Sequence, residues 1–204
     1  MLLALGTLAL VGGGVPVLAD AATGAQDVGV VPAAHVARVQ PAGSLVAAPS
    51  TSRPAEAAAP PVRLRLSRLD VDAPVRPVSV SADAQLVVPT DPRQVGWWSA
   101  SGTPGAPPGS IVIAGHVDSA TLGLGALFRL RESRAGDAVT LVDARGRSTR
   151  YTVVARRSYR KTALPAQVFA LDAGPRLVLI TCGGRFDQDT RHYDDNVVVY
   201  AVPR

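Results

Sequence analysis

Cysteine is nearly absent from this chain of 204 residues, which contains only one, Cys182. A single thiol has no partner for an internal disulfide and cannot form a metal site built from several cysteines. Two interpretations are left for Cys182: a small buried hydrophobic side chain, or the nucleophile of an enzyme. If the chain is exported, this low cysteine content also argues against a disulfide-stapled scaffold.

Lysine and aromatic side chains are also scarce. Of the 21 Lys and Arg residues only Lys161 is a lysine, and Phe, Trp and Tyr make up 4% of the chain. The basic residues form no stripe interleaved with aromatics, so we do not expect nucleic acid as a partner. The formal net charge of +5 instead favours anionic wall polymers or lipid headgroups.

Charge is absent from the first segment of the chain. Residues 2–19 are uncharged and mostly Leu, Ala, Val and Gly, which is long enough for a helix to cross a bilayer at roughly 1.5 Å per residue. A cleaved signal peptide is the alternative, although no basic residue precedes the apolar run. We expect residues 1–19 to be a membrane anchor or signal segment. The protein is then a single-pass protein of the cell membrane, with the rest of the chain outside the cytoplasm.

Hydrophobic periodicity is missing from residues 20–60. This stretch is rich in Ala, Pro, Gly and Val, as in the run Ala57-Ala58-Ala59-Pro60-Pro61 at its end. Such a composition cannot bury a core, so we predict a disordered, semi-stiff linker. Residues 61–204 are then the folded domain, and they are numerous enough to enclose one sizeable core.

Long helical patterns are absent from residues 61–204, where most apolar runs have the character of strands. Short helices are expected only at 92–98 and 124–130. Strands without long intervening helices do not build parallel βαβ units, so we predict a mainly β fold, a closed antiparallel or mixed barrel of about eight strands with short helices at its rim. The predicted strands are Val62–Leu66, Val75–Val80, Gln85–Val88, Ser110–Ala114, Ala138–Val142, Thr149–Ala155, Leu177–Thr181 and Asn196–Val202.

Two of these strands end in the same way. The apolar run 177–181 is followed by Cys182 and two glycines, and the run 110–114 is followed by Gly115 and His116. A nucleophile must be held rigidly yet stay open to substrate, which the end of a core strand provides. His is the usual proton shuttle for a thiol because its pKa lies near neutral. We therefore pair Cys182 with His116 as candidate catalytic residues at one rim of the barrel.

A thiolate that attacks an amide carbonyl also needs a group to stabilise the oxyanion, and a guanidinium can serve. Arg185 and Arg191 both follow Cys182 before the last strand. We favour Arg191, which ends the connection and could fold back over the thiol, whereas Arg185 lies in the turn directly after the glycines. Asp118 either orients His116 or caps the short helix that follows.

The residues in this order resemble a Gram-positive sortase. The segments Ala114-Gly115-His116 and Leu179-Ile180-Thr181-Cys182, followed by an arginine, carry the resemblance. More narrowly, the segments 181–187 (TCGGRFD) and 193–201 (YDDNVVVYA) look like the class F sortases of actinobacteria. The resemblance covers about residues 61–204 and implies a closed eight-stranded barrel with a His–Cys–Arg site at its edge. Many sortases place the arginine inside the last strand, where this chain has Asp194, Asp195 and Asn196.

The resemblance implies that His116 is the general acid/base, Cys182 the nucleophile and Arg191 the stabiliser of substrate and oxyanion. The implied reaction cleaves an LPXTG-like sorting signal of a surface protein between Thr and Gly through a thioacyl-enzyme. The acyl group then passes to an amine of a peptidoglycan precursor or a pilin. The segment 159–175, which precedes the nucleophile strand, either lines a groove for the Leu-Pro part of the signal or simply closes the barrel end. No cofactor is implied.

A metal site is not expected, because the acids at 187, 189, 194 and 195 match no EF-hand spacing and alternate with arginines. An L,D-type cysteine transpeptidase is a weaker alternative, since in that motif the cysteine follows a glycine and here it precedes one. A hydrolase that only cleaves the sorting signal would use the same residues. An inactive sortase-like surface binding protein is the alternative from another class.

Overall fold

The computed structural model describes residues 26–32, 58–81, 85–106, 109–172 and 174–204. Within them the chain is almost entirely β, with four short 3-10 helices at Ser67–Leu69, Leu130–Glu132, Lys161–Ala163 and Ala166–Phe169. The strands are β1 (Val28–Gly29), β2 (Pro61–Leu66), β3 (Val71–Val78), β4 (Val95–Trp98), β5 (Ser110–Gly115), β6 (Asp118–Ser119), β7 (Gly123–Leu124), β8 (Ala138–Asp143), β9 (Ser148–Arg160), β10 (Arg176–Asp187) and β11 (His192–Pro203).

Eight of these strands close into a barrel. Going round the wall, the order is β2, β3, β4, β5, β10, β11, β9 and β8, and β8 pairs with β2 to complete the ring. The pairs β3–β4 and β5–β10 are parallel, and the other neighbours in the ring are antiparallel. A closed ring leaves no long unpaired edge. The predicted eight-stranded barrel with short rim helices is confirmed.

The barrel interior is filled by alternate residues of its strands. Ile111 and Ile113 of β5 and Leu177 and Leu179 of β10 all point into this core and are at most 4% exposed. The residues between them point outward, where a second apolar cluster forms against loops. This two-sided burial explains why β5 and β10 are continuous apolar runs in the sequence.

Two local predictions are wrong. Residues 92–98 were expected to form a short helix, but Val95–Trp98 is β4 and pairs with both β3 and β5. Val95 and Trp97 are buried in the barrel core, and this packing decides the local conformation. Residues 85–88 form no strand and make a single bridge, between Val80 and Leu86.

The segment 124–130 is also not helical over its length. It consists of the end of β7 and turns, and a 3-10 helix begins only at Leu130. Leu127 and Leu130 are fully buried, so these turns close one end of the barrel.

Part of the predicted linker lies against the barrel. Val28 and Gly29 pair antiparallel with Arg156 and Ala155 of β9. The remaining linker residues 20–25 and 33–57, and the predicted anchor at 1–19, lie outside the described residues. In the part of the chain that the structure describes, no helix is long and apolar enough to cross a membrane.

Candidate active site

The parallel register of β5 and β10 brings Cys182 and His116 together. Each pair in the register, from Arg176↔Ser110 to Ile180↔Ala114, is separated by 66 positions. Cys182 and His116 are also 66 positions apart, two residues beyond the last pair. Side chains at equal positions of paired parallel strands point to the same face, and the two residues that follow this register by the same offset both line one cleft.

The strand that carries Cys182 does not end there. β10 continues to Asp187, and its pairing with β11 shifts between Gly183 and Phe186. Gly184 forms this bulge with φ 78°, a conformation that residues with a Cβ rarely adopt. Cys182 is partly exposed because its neighbour β5 stops at Gly115, rather than because β10 itself stops.

One hydrogen bond holds the His116 ring, and a second holds the backbone of the residue before it. Its Nε2 lies 3.0 Å from the carbonyl oxygen of Pro89. A carbonyl only accepts, so Nε2 carries the hydrogen of this bond, and Nδ1 is then the basic nitrogen of the neutral ring. The preceding residue is held as well, because the Thr181 hydroxyl donates to the Gly115 carbonyl at 2.8 Å. The chain just before the thiol is thereby bonded to the chain just before the imidazole.

The hairpin between β10 and β11 carries Arg191. Asp187 opens the hairpin, and its carboxylate accepts hydrogen bonds from the backbone N–H groups of Asp189 and Thr190 at 2.8 and 3.1 Å. These bonds hold the pKa of Asp187 below its usual range. Arg191 ends the turn in the left-handed conformation with φ 56°, which is uncommon for a residue with a long side chain. These hydrogen bonds thus hold the turn up to Thr190, the residue before Arg191.

His116, Cys182 and Arg191 line one open cleft of about 760 Å³. Arg185 is exposed, and among the described residues it lies outside the lining of this cleft. Of the two arginines considered from the sequence, Arg191 is therefore the one that shares a cleft with the thiol and the imidazole.

Tyr193 is a cleft residue that the sequence did not suggest. Its hydroxyl donates to the Asp118 carboxylate at 2.5 Å, and its ring packs edge-on against Phe186 with centroids 5.0 Å apart. The bond to the carboxylate, helped by burial, raises the pKa of Tyr193 to about 12, so the phenol stays protonated at neutral pH. Asp118 begins β6, so it is not the cap of a helix, and its recorded partner is Tyr193 rather than His116. Asp118 and Tyr193 are 75 positions apart, and no local sequence signal connects them.

A second groove, lined by more hydrophobic side chains, meets the first at Cys182. Its volume is about 390 Å³. Hydrophobic side chains reach it from the segment 161–169, through Leu164 and Phe169, and from the segment 85–88, through Leu86 and Val88. The lining residues are Gln85, Leu86, Val88, Ala114, Gly115, Lys161, Leu164, Phe169, Ile180, Thr181, Cys182 and Asn196.

The arrangement suits covalent catalysis on an acyl group. A thiol, a base held in one tautomer and a guanidinium face one cleft, and an apolar groove leads to the thiol. Among the described residues, no three His, Cys, Asp or Glu side chains come together as ligands for a metal ion.

The fold is also that of several sortases of known structure. Sortase A from Corynebacterium diphtheriae superposes with a TM-score of 0.54 at 19% identity, over 72% of this chain and 61% of that one. Sortase C-1 from Actinomyces oris superposes with a TM-score of 0.55 at 17% identity, over 70% of this chain and 72% of that one. A sortase D5 transpeptidase from Clostridium perfringens superposes with a TM-score of 0.52 at 15% identity. The superposition covers 70% of this chain and 77% of that one.

The chain thus spans 61% of the length of the Corynebacterium enzyme, and at these identities the likeness concerns the fold. No curated protein gives a significant sequence match. The profile of the sortase domain, however, matches residues 64–204, which include every residue of the cleft and all of the barrel except the first three residues of β2. With this match and the barrel together, the chain belongs to the sortase family.

Proposed function

We propose that this protein is a sortase transpeptidase that cleaves an LPXTG-like sorting signal between Thr and Gly and transfers the acyl group to an amine. The observation that carries the proposal is the single cleft lined by Cys182, His116 and Arg191 in a chain of the sortase family. The amine acceptor is a peptidoglycan precursor or a pilin. The sequence segments 181–187 and 193–201 support assignment to class F.

In the first step the Cys182 sulfur forms a bond to the Thr carbonyl carbon, and the Thr–Gly C–N bond breaks. Nδ1 of His116 takes the thiol proton and gives it to the leaving Gly amine. In the second step the acceptor amine attacks the thioester, the sulfur leaves, and the proton lost by the amine returns to the thiol through His116. The hydrogen bond from Nε2 to Pro89 supports this role because it keeps Nδ1 as the proton-accepting atom.

Arg191 stabilises the oxyanion that forms on the Thr carbonyl in both steps. A guanidinium keeps its charge at any working pH and offers several N–H donors. The cleft supports this role because Arg191 lines it together with Cys182 and His116.

The apolar groove binds the Leu-Pro part of the signal. It opens at Cys182, and Leu164, Phe169 and Ile180 give it an apolar lining of a size that suits two such side chains. This favours the substrate-groove interpretation of segment 159–175 over that of a loop that only closes the barrel end.

We further propose that residues 1–19 anchor the enzyme in the cell membrane, single-pass, with the catalytic domain at 61–204 outside the cytoplasm. The uncharged run at 2–19 supports this. Surface proteins that carry sorting signals would then meet the cleft after export.

The test is incubation of the full chain with an LPXTG peptide and a small amine, read by mass spectrometry. We expect the amine adduct of the peptide truncated at Thr, and no adduct with Cys182→Ala or His116→Ala. Removing one oxyanion donor typically lowers kcat by about 10²- to 10³-fold, and we expect Arg191→Ala to do so. Arg185→Ala is the matched control and should keep its rate.

Each alternative has its own outcome in this assay. Release of the free Thr acid in place of the adduct would make the protein a sorting-signal hydrolase. Peptide binding without cleavage would make it an inactive surface binding protein. Full turnover by Cys182→Ala would refute the mechanism.

A further inference from the structure

Lys161, the only lysine of the chain, stands between the two grooves of the site. It begins the 3-10 helix Lys161–Ala163 directly after β9, and it is exposed. It lines the cleft that holds Cys182, His116 and Arg191, and it also lines the apolar groove. Any peptide that occupies both must therefore pass this ammonium group.

The charge of Lys161 is not neutralised by a neighbour. Among the described residues it has no ion-pair partner, although acids lie on the adjacent strand β11. Those acids face Arg160 instead, with Asp194 at 3.6 Å and Asp195 at 3.7 Å. The carboxylate of Asp118, in the same cleft, is engaged by Tyr193. The other cation in the cleft is Arg191, so the path of the peptide is electropositive.

We propose that Lys161 is a specificity-determining residue that selects sorting signals with an acidic side chain between Leu-Pro and Thr. The inference rests on the proposed function. If Leu-Pro fills the apolar groove and the Thr carbonyl lies at Cys182, the residue between them lies where the two grooves meet, beside Lys161. An acidic side chain there gains an ion pair, whereas a basic one meets repulsion.

The expected selectivity is modest because Lys161 is exposed. Exposed ion pairs change an equilibrium about 1.4- to 5-fold. We expect wild-type kcat/KM for a Leu-Pro-Glu-Thr-Gly peptide to exceed that of the Gln peptide by about this factor. The Lys peptide should fall below the Gln peptide by a similar factor. The difference should appear mainly in KM and shrink as salt is added, because salt screens exposed charges.

The test compares the Glu, Gln and Lys peptides on wild type, Lys161→Gln and Lys161→Glu. The ratio to the Gln peptide is taken within each variant, so that any general loss of activity cancels. Lys161→Gln should bring the three values together, and Lys161→Glu should reverse their order. Arg160→Gln is a matched control that removes the neighbouring charge.

A wild-type enzyme that turns over all three peptides equally would overturn the selectivity while leaving the transpeptidase intact. A Glu preference that persists in Lys161→Gln, or disappears in Arg160→Gln alone, would assign it to another residue and also refute the proposal. If none of the peptides is cleaved, the proposed function fails.

A second inference comes from the N-terminal strap, residues 26–32, which is held to β9 through its backbone. Arg157 donates to the carbonyls of Val28 and Gly29 at 2.7 and 2.6 Å, and Arg156 donates to that of Gln26 at 2.5 Å. Asp27 accepts the backbone N–H of Ser158 at 3.0 Å.

The strap fits its site closely. Gly29 has φ 72°, and a Cβ at this position would lie 1.9 Å from the carbonyl oxygen of Val154. Val31 packs on the outer apolar cluster, the same cluster to which Ile180 and Val168 belong. Only glycine is compatible with this approach of two backbones.

The geometry points to a short tether. With the strap docked, only residues 20–25 separate the proposed anchor from the barrel wall, a reach of at most about 20 Å at roughly 3.5 Å per residue. A free segment of residues 20–60 would reach about 140 Å by the same rule. The strap thus holds the catalytic domain near the membrane surface, an inference that rests on the proposed anchor.

The test uses the full chain in lipid vesicles with a fluorophore on the unique thiol of Cys182 and acceptor dye in the lipid. Gly29→Val should release the strap, raise amide hydrogen exchange in β9 around residues 154–158 and lower energy transfer to the lipid. Val30→Ala, at a side chain that is 79% exposed, is the control and should change neither. Unchanged exchange in Gly29→Val would show that these contacts do not hold the strap. Faster exchange with unchanged energy transfer would show that the strap does not set the height of the domain.

Discussion

The two faces of β10 differ in what covers them. Leu177, Leu179 and Thr181 point into the barrel and are at most 3% exposed, because the other strands of the wall surround them. Val178 and Ile180 point outward and are also buried, but their cover consists of loops and a 3-10 helix. The next outward residue is Cys182, which is partly exposed.

This difference explains how one strand serves both stability and chemistry. A face enclosed by a closed ring of strands cannot open without unfolding the barrel. A face covered by loops opens wherever the loops stop, and here they stop at the thiol. Substitutions on the inner face should therefore lower stability, and substitutions on the outer face should change substrate use.

The largest expected effect tests this division directly. Leu179→Ala leaves a cavity inside the closed ring and should lower the free energy of unfolding by about 2–5 kcal/mol. Ile180→Ala, its outward neighbour, removes part of the groove lining and should mainly raise KM for the sorting peptide. Denaturant unfolding and peptide kinetics on both variants separate the two. An Ile180→Ala variant with unchanged KM and a stability loss equal to that of Leu179→Ala would show that the two faces of β10 do not differ in this way.

An intermediate effect is expected at Thr181, which faces inward yet touches the site. Thr181→Val keeps the shape but leaves the Gly115 carbonyl without its side-chain donor. An unsatisfied buried acceptor costs about 1–3 kcal/mol of stability. Because His116 follows Gly115, kcat should also fall while KM changes little. Thr181→Ser, which restores the donor, should recover most of kcat. A Thr181→Val variant that lost stability with no change in kcat would confine this bond to a structural role.

The smallest effect is expected at Tyr193, in the cleft beyond the bulge. Tyr193→Phe keeps the ring against Phe186 and removes the hydrogen bond to Asp118. A partly exposed hydrogen bond to a charged group is worth about 1.5–3 kcal/mol at most, and solvent reduces this, so we expect a loss of kcat/KM of about tenfold or less. Asp118→Asn should have a similar effect, and the double variant should add little to either. Additive losses would show that the two side chains act separately.

The sequence predicted the barrel because burial on both faces leaves long apolar runs, and it placed the candidate catalytic residues directly after two of these runs. It predicted the wrong conformation at 92–98 because the pairing of β4 with β3 and β5 is not local. It also placed the end of a strand at Cys182, where the structure has a bulge inside β10. The glycines carried a real signal, but a bulge and a strand end look alike in sequence.

Residue types and their order along the chain thus determined which groups can react: one thiol, an imidazole after a buried strand, and an arginine close to the last strand. In the sequence alone, the 66 positions between His116 and Cys182 do not indicate that the two residues share a site. The parallel register of β5 and β10 has the same offset, and both residues lie two positions beyond its last pair and line one cleft. Register depends on hydrogen bonds and packing between distant segments, so only the tertiary structure could decide that thiol, imidazole and guanidinium share one cleft.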